Sequence, residues 1–394
     1  MIDFTFTEEQ QLIQQTARNF ANKEILPVLE QIDQSADPLL DTWLLVRPIL
    51  EKAASLGFLS FYIPEAYGGS GRSGLEGAIF IEEIAAVDLG IANAMGATMG
   101  YPMFILAAGT PAQKQRWLPP LCRGKLHVLA GAQSEPNVAG SELFCTESDP
   151  RLGMRTHARR VGDEYILNGT KSGFITNAGI ASSYFIVART SLDRPAAESM
   201  SLFYIQADLP GFRVGRRTHM MGMKTGHHAE LVFENVRVPA DCRLGAEGAA
   251  LDILAAVLGQ GLGAQFVGLA RGAYHYALNY AKQRRSYGKP LIEHQAIALL
   301  LADMEIETQA ARLLSWDAIC AAERFDSSAM IKGMGSKLYA VDVALKTAQN
   351  AVKILGGYGV TREYLAAKYL CDALMGYSCD FTGDMLRLRI AACL

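Results

Sequence analysis

The sequence has no CxxC pair, no basic stripe and no membrane-length apolar stretch free of polar residues, and each absence removes a class of protein. Its seven cysteines (Cys122, Cys145, Cys242, Cys320, Cys371, Cys379 and Cys393) lie far apart, which fits reduced thiols better than a disulfide framework or zinc site. His227, His228 and His294 have no acids at metal-ligand spacing, so no metal is assigned. A formal net charge of −3, with acids and bases interspersed, offers nothing to track a phosphate backbone and argues against nucleic acid as a partner. The most apolar region, 249–269, is interrupted by Asp252, Gln260, Gln265 and several glycines and reads as a buried helix, not a membrane span. The opening Met1-Ile2-Asp3-Phe4 lacks the basic-then-apolar pattern of a leader, which predicts a cytoplasmic protein without membrane attachment.

What is present is a long globular chain. Half of its 394 residues are hydrophobic, enough for a large core and two or three structural units. Residues 1–125 carry a helical pattern. Thr7 with Gln10 makes a capping box, the stripe Leu12, Ile13, Ala17, Phe20, Ala21 and Ile25 follows, and Pro27 is expected to stop that helix. Residues 126–240 change texture: Tyr165-Ile166-Leu167, Tyr184-Phe185-Ile186-Val187 and Leu202-Phe203-Tyr204-Ile205 are separated by the turn signals Asn168-Gly169, Asp193-Arg194-Pro195 and Pro210-Gly211. Over 241–394 the helical period returns in long segments, 249–285, 292–323 and 327–355. The expected fold is α+β in three parts packed as one body: an N-terminal helical domain, a middle β-barrel or β-sandwich, and a C-terminal four-helix bundle. No nucleotide-binding βαβ unit and no internal repeat is present.

Five segments carry candidate chemistry. Ser134-Glu135-Pro136-Asn137-Val138-Ala139-Gly140-Ser141-Glu142 follows an apolar strand and offers amides and hydroxyls to a planar or anionic ligand; it also reads as a plain connecting loop. Asn168-Gly169-Thr170-Lys171-Ser172-Gly173-Phe174-Ile175-Thr176-Asn177 comes about 30 residues later. Gln283-Arg284-Arg285-Ser286-Tyr287-Gly288-Lys289, with Glu293-His294-Gln295, is a basic helix end. Gly356-Gly357-Tyr358-Gly359 suits a helix cap or a phosphate approach. Asp380-Phe381-Thr382-Gly383-Asp384 leaves Asp380 with two readings, the N-cap of the final helix or a general base.

Together and in this order, over residues 4–392, these segments resemble the acyl-CoA dehydrogenase family, with each of the first two loops one residue longer, at Val138 and Gly173. The resemblance implies FAD as cofactor. It places Gln133, Ser134, Ser141, Phe174, Thr176, Thr382 and Asp384 at the flavin, and Arg284, Ser286, Tyr287, Gln295, Lys353, Gly356 and Gly357 at the diphosphate and adenosine side. Arg284 would serve a neighbouring subunit, so a homodimer or homotetramer is expected. Asp380 then stands over the substrate α-carbon as the base, where the family usually has glutamate followed by Gly-Thr, while the β-hydride passes to flavin N5. Ser141, Cys379 and Phe381 are expected to line the substrate.

The alternative base position on the long helix falls at Leu258, beside Gly259, and holds no acid. Ala256 and Gly259 also replace an Asp and an Arg that often support the pantetheine arm. The expected activity is α,β-dehydrogenation of an acyl-CoA, with electrons leaving to an electron-transferring flavoprotein, on a cyclic or branched acyl group. The alternatives are an acyl-carrier-protein thioester as substrate, a nitroalkane-oxidase-like flavin oxidase and a desulfinase-like relative.

Overall fold

The computed structural model describes residues 5–34, 41–138, 147–257 and 261–394. The first helix begins as its sequence dictates: Thr7 Oγ1 accepts the Gln10 amide (3.2 Å) and Gln10 Oε1 accepts the Thr7 amide (3.1 Å), capping Glu8–Phe20. Ala17, Phe20, Ala21 and Ile25 of its stripe are buried, whereas Leu12 faces out. Pro27 does not stop it. A π turn at Ala21–Ile25, closed by the Leu26 amide on the Ala21 carbonyl, comes just before the proline, and the chain stays helical over Leu26–Gln34. The hydrogen-bond ladder is already re-phased there, so the donor that proline lacks is not missed.

Residues 89–108 have the length and mean hydropathy, 1.2, of a membrane span. They divide at Tyr101–Pro102 into the helices Leu89–Gly100 and Pro102–Ala108, and Ile91, Met95, Met99, Phe104 and Ile105 are buried within the protein.

The middle part is a sheet of eight strands: β1 (Leu129–Ala132), β2 (His157–Val161), β3 (Glu164–Thr176), β4 (Ser183–Arg189), β5 (Met200–Gln206), β6 (Phe212–Arg217), β7 (His228–Pro239) and β8 (Arg243–Leu244). Their order is β6-β7-β3-β2-β4-β5-β8, with β1 parallel to β4. Asn168-Gly169 is not a turn. It lies inside β3 at a register shift against β7, where Asn168 Oδ1 accepts the Asn235 amide (2.9 Å). Gly169 takes φ 142 there, and a Cβ on it would stand 2.6 Å from Thr156 Oγ1, so the glycine serves a close approach of two strands. A second register shift falls between Lys171 and Ile175 and contains Gly173.

The long apolar segment expected over 249–285 is two helices among the described residues, Ala250–Val257 and Leu262–Gln283. The second packs along Gln295–Glu323 and Ala329–Leu355, and the short helices Ala366–Leu374 and Gly383–Ala391 close the bundle. Gly268 and Gly272 press Leu262–Gln283 against the backbone of Glu82 and Ala86, joining the bundle to the N-terminal helix Gly74–Ala85.

Candidate active site

Asp380 sits on a turn with unusual backbone. Its φ is 48 and that of Phe381 is 78, two successive non-glycine residues in the left-handed region, and the second is a bulky one for which this costs on the order of 1–3 kcal/mol. A buried lysine holds the turn in place. Lys337 Nζ, reaching from the middle of helix Ala329–Leu355, donates to the carbonyls of Gly376 (2.9 Å) and Phe381 (3.0 Å), one on either side of Asp380. The Cys379 thiol lies 3.4 Å from Asp380 Oδ2 and donates to it. Asp380 does not cap the final helix: the N-cap of Gly383–Ala391 is Thr382, whose own side chain makes no capping bond.

The half-buried carboxyl of Asp380 is pushed above its ordinary value by desolvation, with the Cys379 hydrogen bond and the Lys337 charge opposing. Burial pulls the Lys337 ammonium down, against Cys379 and Asp380. Tyr101 connects this turn to the sheet: burial and then the Asp380 charge push its phenol up, and its oxygen accepts the Gly131 amide of β1. Phe381 packs against an apolar cluster that includes Leu129, Phe185 and Leu254.

Gln133 and Ser134 follow β1 directly, two and three residues past Gly131. Ser134 Oγ stands 2.8 Å from Ser172 Oγ, and the Ser134 carbonyl accepts the Ser172 amide (3.0 Å), so the two loops expected at the flavin meet edge to edge. They are fixed from behind by an ion pair. Lys171, fully buried, donates to Glu135 Oε1 (3.0 Å) and to the Gln133 carbonyl (3.0 Å), and Glu135 also accepts the amides of Arg155 (2.7 Å) and Thr156 (2.8 Å). Burial draws the Lys171 ammonium down to about 8 against the pull of Glu135. Burial also works to raise Glu135, but Lys171 and those amides outweigh it and hold the carboxylate below its usual range.

The bulge at 172–174 turns the Phe174 ring outward, 63% exposed. Thr176 Oγ1 lies 3.4 Å from His228 Nε2. Burial, with help from His227 and Arg217, pulls that imidazole down to about 4, so it is neutral at physiological pH.

The remaining residues assemble on the bundle. Ser286 and Lys289 pair in a small hairpin whose tip is Tyr287-Gly288, both with positive φ, the preferred geometry for a two-residue turn. It thrusts Tyr287 into solvent at 97% exposure. The Arg284 guanidinium lies over the Tyr358 ring at 5.7 Å, which brings the hairpin to the Gly356-Gly357 segment. Gly356 and Gly357 are exposed, and no atom lies within 4 Å of a Cβ placed on either. Gln295 begins helix Gln295–Glu323 and, like Lys353, is exposed.

Asp384 is exposed and pairs with Arg387 (3.6 Å), and Thr382 is exposed. Ser141, Leu258 and Gly259, and the side chain of Ala256, lie outside the described residues.

Sequence reasoning missed four groups that the structure makes prominent: the Lys171–Glu135 pair, Lys337, Asn93 and a buried cluster around Lys368. Lys368 bonds Asp372 (2.6 Å) and Asp88 (2.9 Å), whose partners Met223 and Thr225 come from the middle part. Burial depresses that ammonium, but Asp372 and Asp88 prevail and hold it well above its usual value. Of the four only the Lys171–Glu135 pair stood within segments singled out for chemistry, and neither residue's place gave a sign of burial.

Comparison with known proteins agrees with this geometry. The chain matches the N-terminal, middle and C-terminal domains of acyl-CoA dehydrogenase over residues 7–125, 130–236 and 260–394. It is 35% identical over 383 residues to the short-chain-specific acyl-CoA dehydrogenase of Megasphaera elsdenii, covering 94% of each chain. The structure of butyryl-CoA dehydrogenase from the same organism aligns with a TM-score of 0.90 at 32% identity, over 100% of this chain and 99% of that one. The prolyl acyl carrier protein oxidase AnaB gives 0.88 at 26% identity, over 99% of each chain. The chain belongs to the acyl-CoA dehydrogenase family and is an FAD-dependent oxidoreductase.

The residues present fit that cofactor. An outward aromatic ring at Phe174, the paired hydroxyls of Ser134 and Ser172, an open glycine surface at Gly356-Gly357, and an Arg284 with no carboxylate partner among the described residues suit an isoalloxazine and a diphosphate.

Proposed function

We propose that this enzyme dehydrogenates an acyl thioester between the α- and β-carbons, with Asp380 as the base that takes the α-proton. The observation that carries the reading is the half-buried Asp380 carboxylate, with the Cys379 thiol on Oδ2, on a turn that Lys337 pins and no helix cap requires. Cys379 occupies Oδ2, which leaves Oδ1 to accept the proton. Lys337 fixes the turn from both sides and opposes, through its charge, the rise that burial imposes on the base. Bound FAD supplies the hydride acceptor.

The relatives named for short-chain and butyryl-CoA substrates support an acyl-CoA as the thioester. Similarity to the prolyl acyl carrier protein oxidase supports the carrier-protein form as the alternative. Phe381, standing where the family usually has glycine and leaning on the apolar cluster, favours a reshaped acyl pocket and so a cyclic or branched group over a straight chain. Gln133, Ser134, Phe174 and Thr176 are assigned to the flavin, and Arg284, Ser286, Tyr287, Gln295, Lys353, Gly356 and Gly357 to the diphosphate and adenosine. The exposure of Arg284 and Tyr287 suits delivery to the FAD of a second copy, in a cytoplasmic homodimer or homotetramer that passes electrons to an electron-transferring flavoprotein. The chain divides for these purposes at 1–125, 126–240 and 241–394.

Flavin bleaching under anaerobic conditions with straight, branched and cyclic acyl-CoAs tests the reaction, and a flavin left oxidised by every thioester refutes it. Two variants test the roles. Arg284→Ala is expected to release FAD about tenfold more readily, measured by FAD fluorescence on dilution, with the melting of the FAD-free protein unchanged because the side chain is exposed. Lys337→Met is expected to move the acidic limb of the pH–rate profile upward, since the cation that opposes the burial of Asp380 is gone; a limb that stays in place assigns Lys337 to structure alone.

A further inference from the structure

Asn93 reaches Cys379 from helix Leu89–Gly100, and Gln265 meets it from helix Leu262–Gln283. The Asn93 amide is poorly satisfied. Its Nδ2 lies 3.4 Å from Gln265 Oε1 and 4.0 Å from Cys379 Sγ, both at the long limit, and its buried Oδ1 has no hydrogen-bond partner among the described residues. Gln265 is itself buried, at 7% exposure. Two amides from different parts of the chain therefore face each other one side chain away from the base, because Cys379 is the group that donates to Asp380. Packing alone is served better there by leucine or methionine, and an enclosed amide oxygen without a partner is costly unless a ligand completes it.

We propose that Asn93, oriented by Gln265, is a specificity-determining residue that accepts a hydrogen bond from an O–H or N–H on the acyl group of the substrate. The class of substrate is then an acyl thioester with a hydrogen-bond donor on its acyl chain, not a plain alkyl thioester; this rests on the thioester reading above. The sign of the orphaned atom sets the class. Oδ1 is an acceptor, so it calls for a donor, and a carboxylate is disfavoured because Oδ1 and Asp380 both repel it. A site built to bond a polar group also rejects the analogue that lacks it, since the partner is then left unpaired.

The test uses phosphopantetheine thioesters, the portion common to CoA and a carrier protein, in three near-isosteric forms: 4-hydroxybutyryl, 4-aminobutyryl and pentanoyl. Binding to FAD-loaded Asp380→Asn protein is read from the perturbation of flavin absorbance, without any turnover. At least one donor-bearing thioester is expected to bind at least tenfold more tightly than pentanoyl, and the ratio is expected to fall toward one when Asn93→Leu or Gln265→Met is added, whatever the absolute affinities. Asn93→Ala serves if the leucine fails to fold. Equal or tighter binding of pentanoyl, or a ratio that survives replacement of Asn93, overturns the proposal. A wild-type flavin left oxidised by all three thioesters counts against the dehydrogenase reading, while the binding ratio still decides this one.

Discussion

Asp380→Asn is expected to retain FAD and lose about 10²–10⁴-fold of its dehydrogenation rate, the usual contribution of a positioned general base, while melting at a higher temperature than the parent protein at pH 8. The second half follows from the direction of the pKa shift. Folding raises the Asp380 carboxyl above its unfolded value because burial outweighs the Cys379 hydrogen bond and Lys337. The acid is then comfortable in the folded protein when protonated, and stability is lost as pH rises through the raised value. Asparagine has no charge to bury, so its advantage is present at pH 8 and disappears on acidification. Stopped-flow bleaching and melting curves at pH 5 and pH 8 check both halves. Unchanged turnover shows that the base lies elsewhere; lost turnover with lost FAD makes Asp380 structural.

Lys171→Met is expected to destabilise the protein by about 3–5 kcal/mol, the cost of leaving one half of a buried ion pair alone, and to release FAD. Lys171 is fully buried and bonds both Glu135 and the Gln133 carbonyl, so its removal strands the Glu135 carboxylate and frees the loop that carries Gln133 and Ser134. The double variant Lys171→Met/Glu135→Gln is expected to recover part of the loss, because it buries no charge and its single amide oxygen still accepts one of the Arg155 and Thr156 amides. The pair also has a pH signature. Glu135 titrates below its usual range in the folded state, so its contribution is complete above the ordinary carboxylate value and is lost as pH falls through the depressed one. Urea denaturation from pH 3 to pH 7 resolves this, with the double variant showing the flatter profile.

How far the sequence could be read depended on whether a feature is local. The Thr7–Gln10 box closes within four residues and forms as its spacing dictates. The division into helices, strands and helices follows from periodicity and was legible for the same reason. Pro27 and Asn168-Gly169 misled because each has a second use: a π turn accommodates the proline, and the glycine admits a neighbouring strand. Asp380 was legible as a candidate through its frame, but its freedom from the cap depended on where the last helix begins. Lys171, Lys337 and Asn93 were illegible because each is defined by partners far along the chain, at Glu135, at Gly376 and Phe381, and at Gln265. A lysine on a strand or a long helix looks solvent-facing until tertiary structure supplies the atoms that receive its charge.

Asp380 rides on the bundle, whereas Gln133 and Ser134 follow a strand of the sheet, so their spacing is an assembly tolerance and not a property of either part. Lys368 is where that tolerance is set. It is tied to Asp88 at the head of the Leu89–Gly100 helix and to Asp372, which holds the Met223 amide of the sheet domain and lies eight residues before Asp380. Three parts of the chain thus share one buried locating pin. Wear at that pin would show first as a change in the timing of proton and hydride removal, with every residue that touches substrate or cofactor still in place.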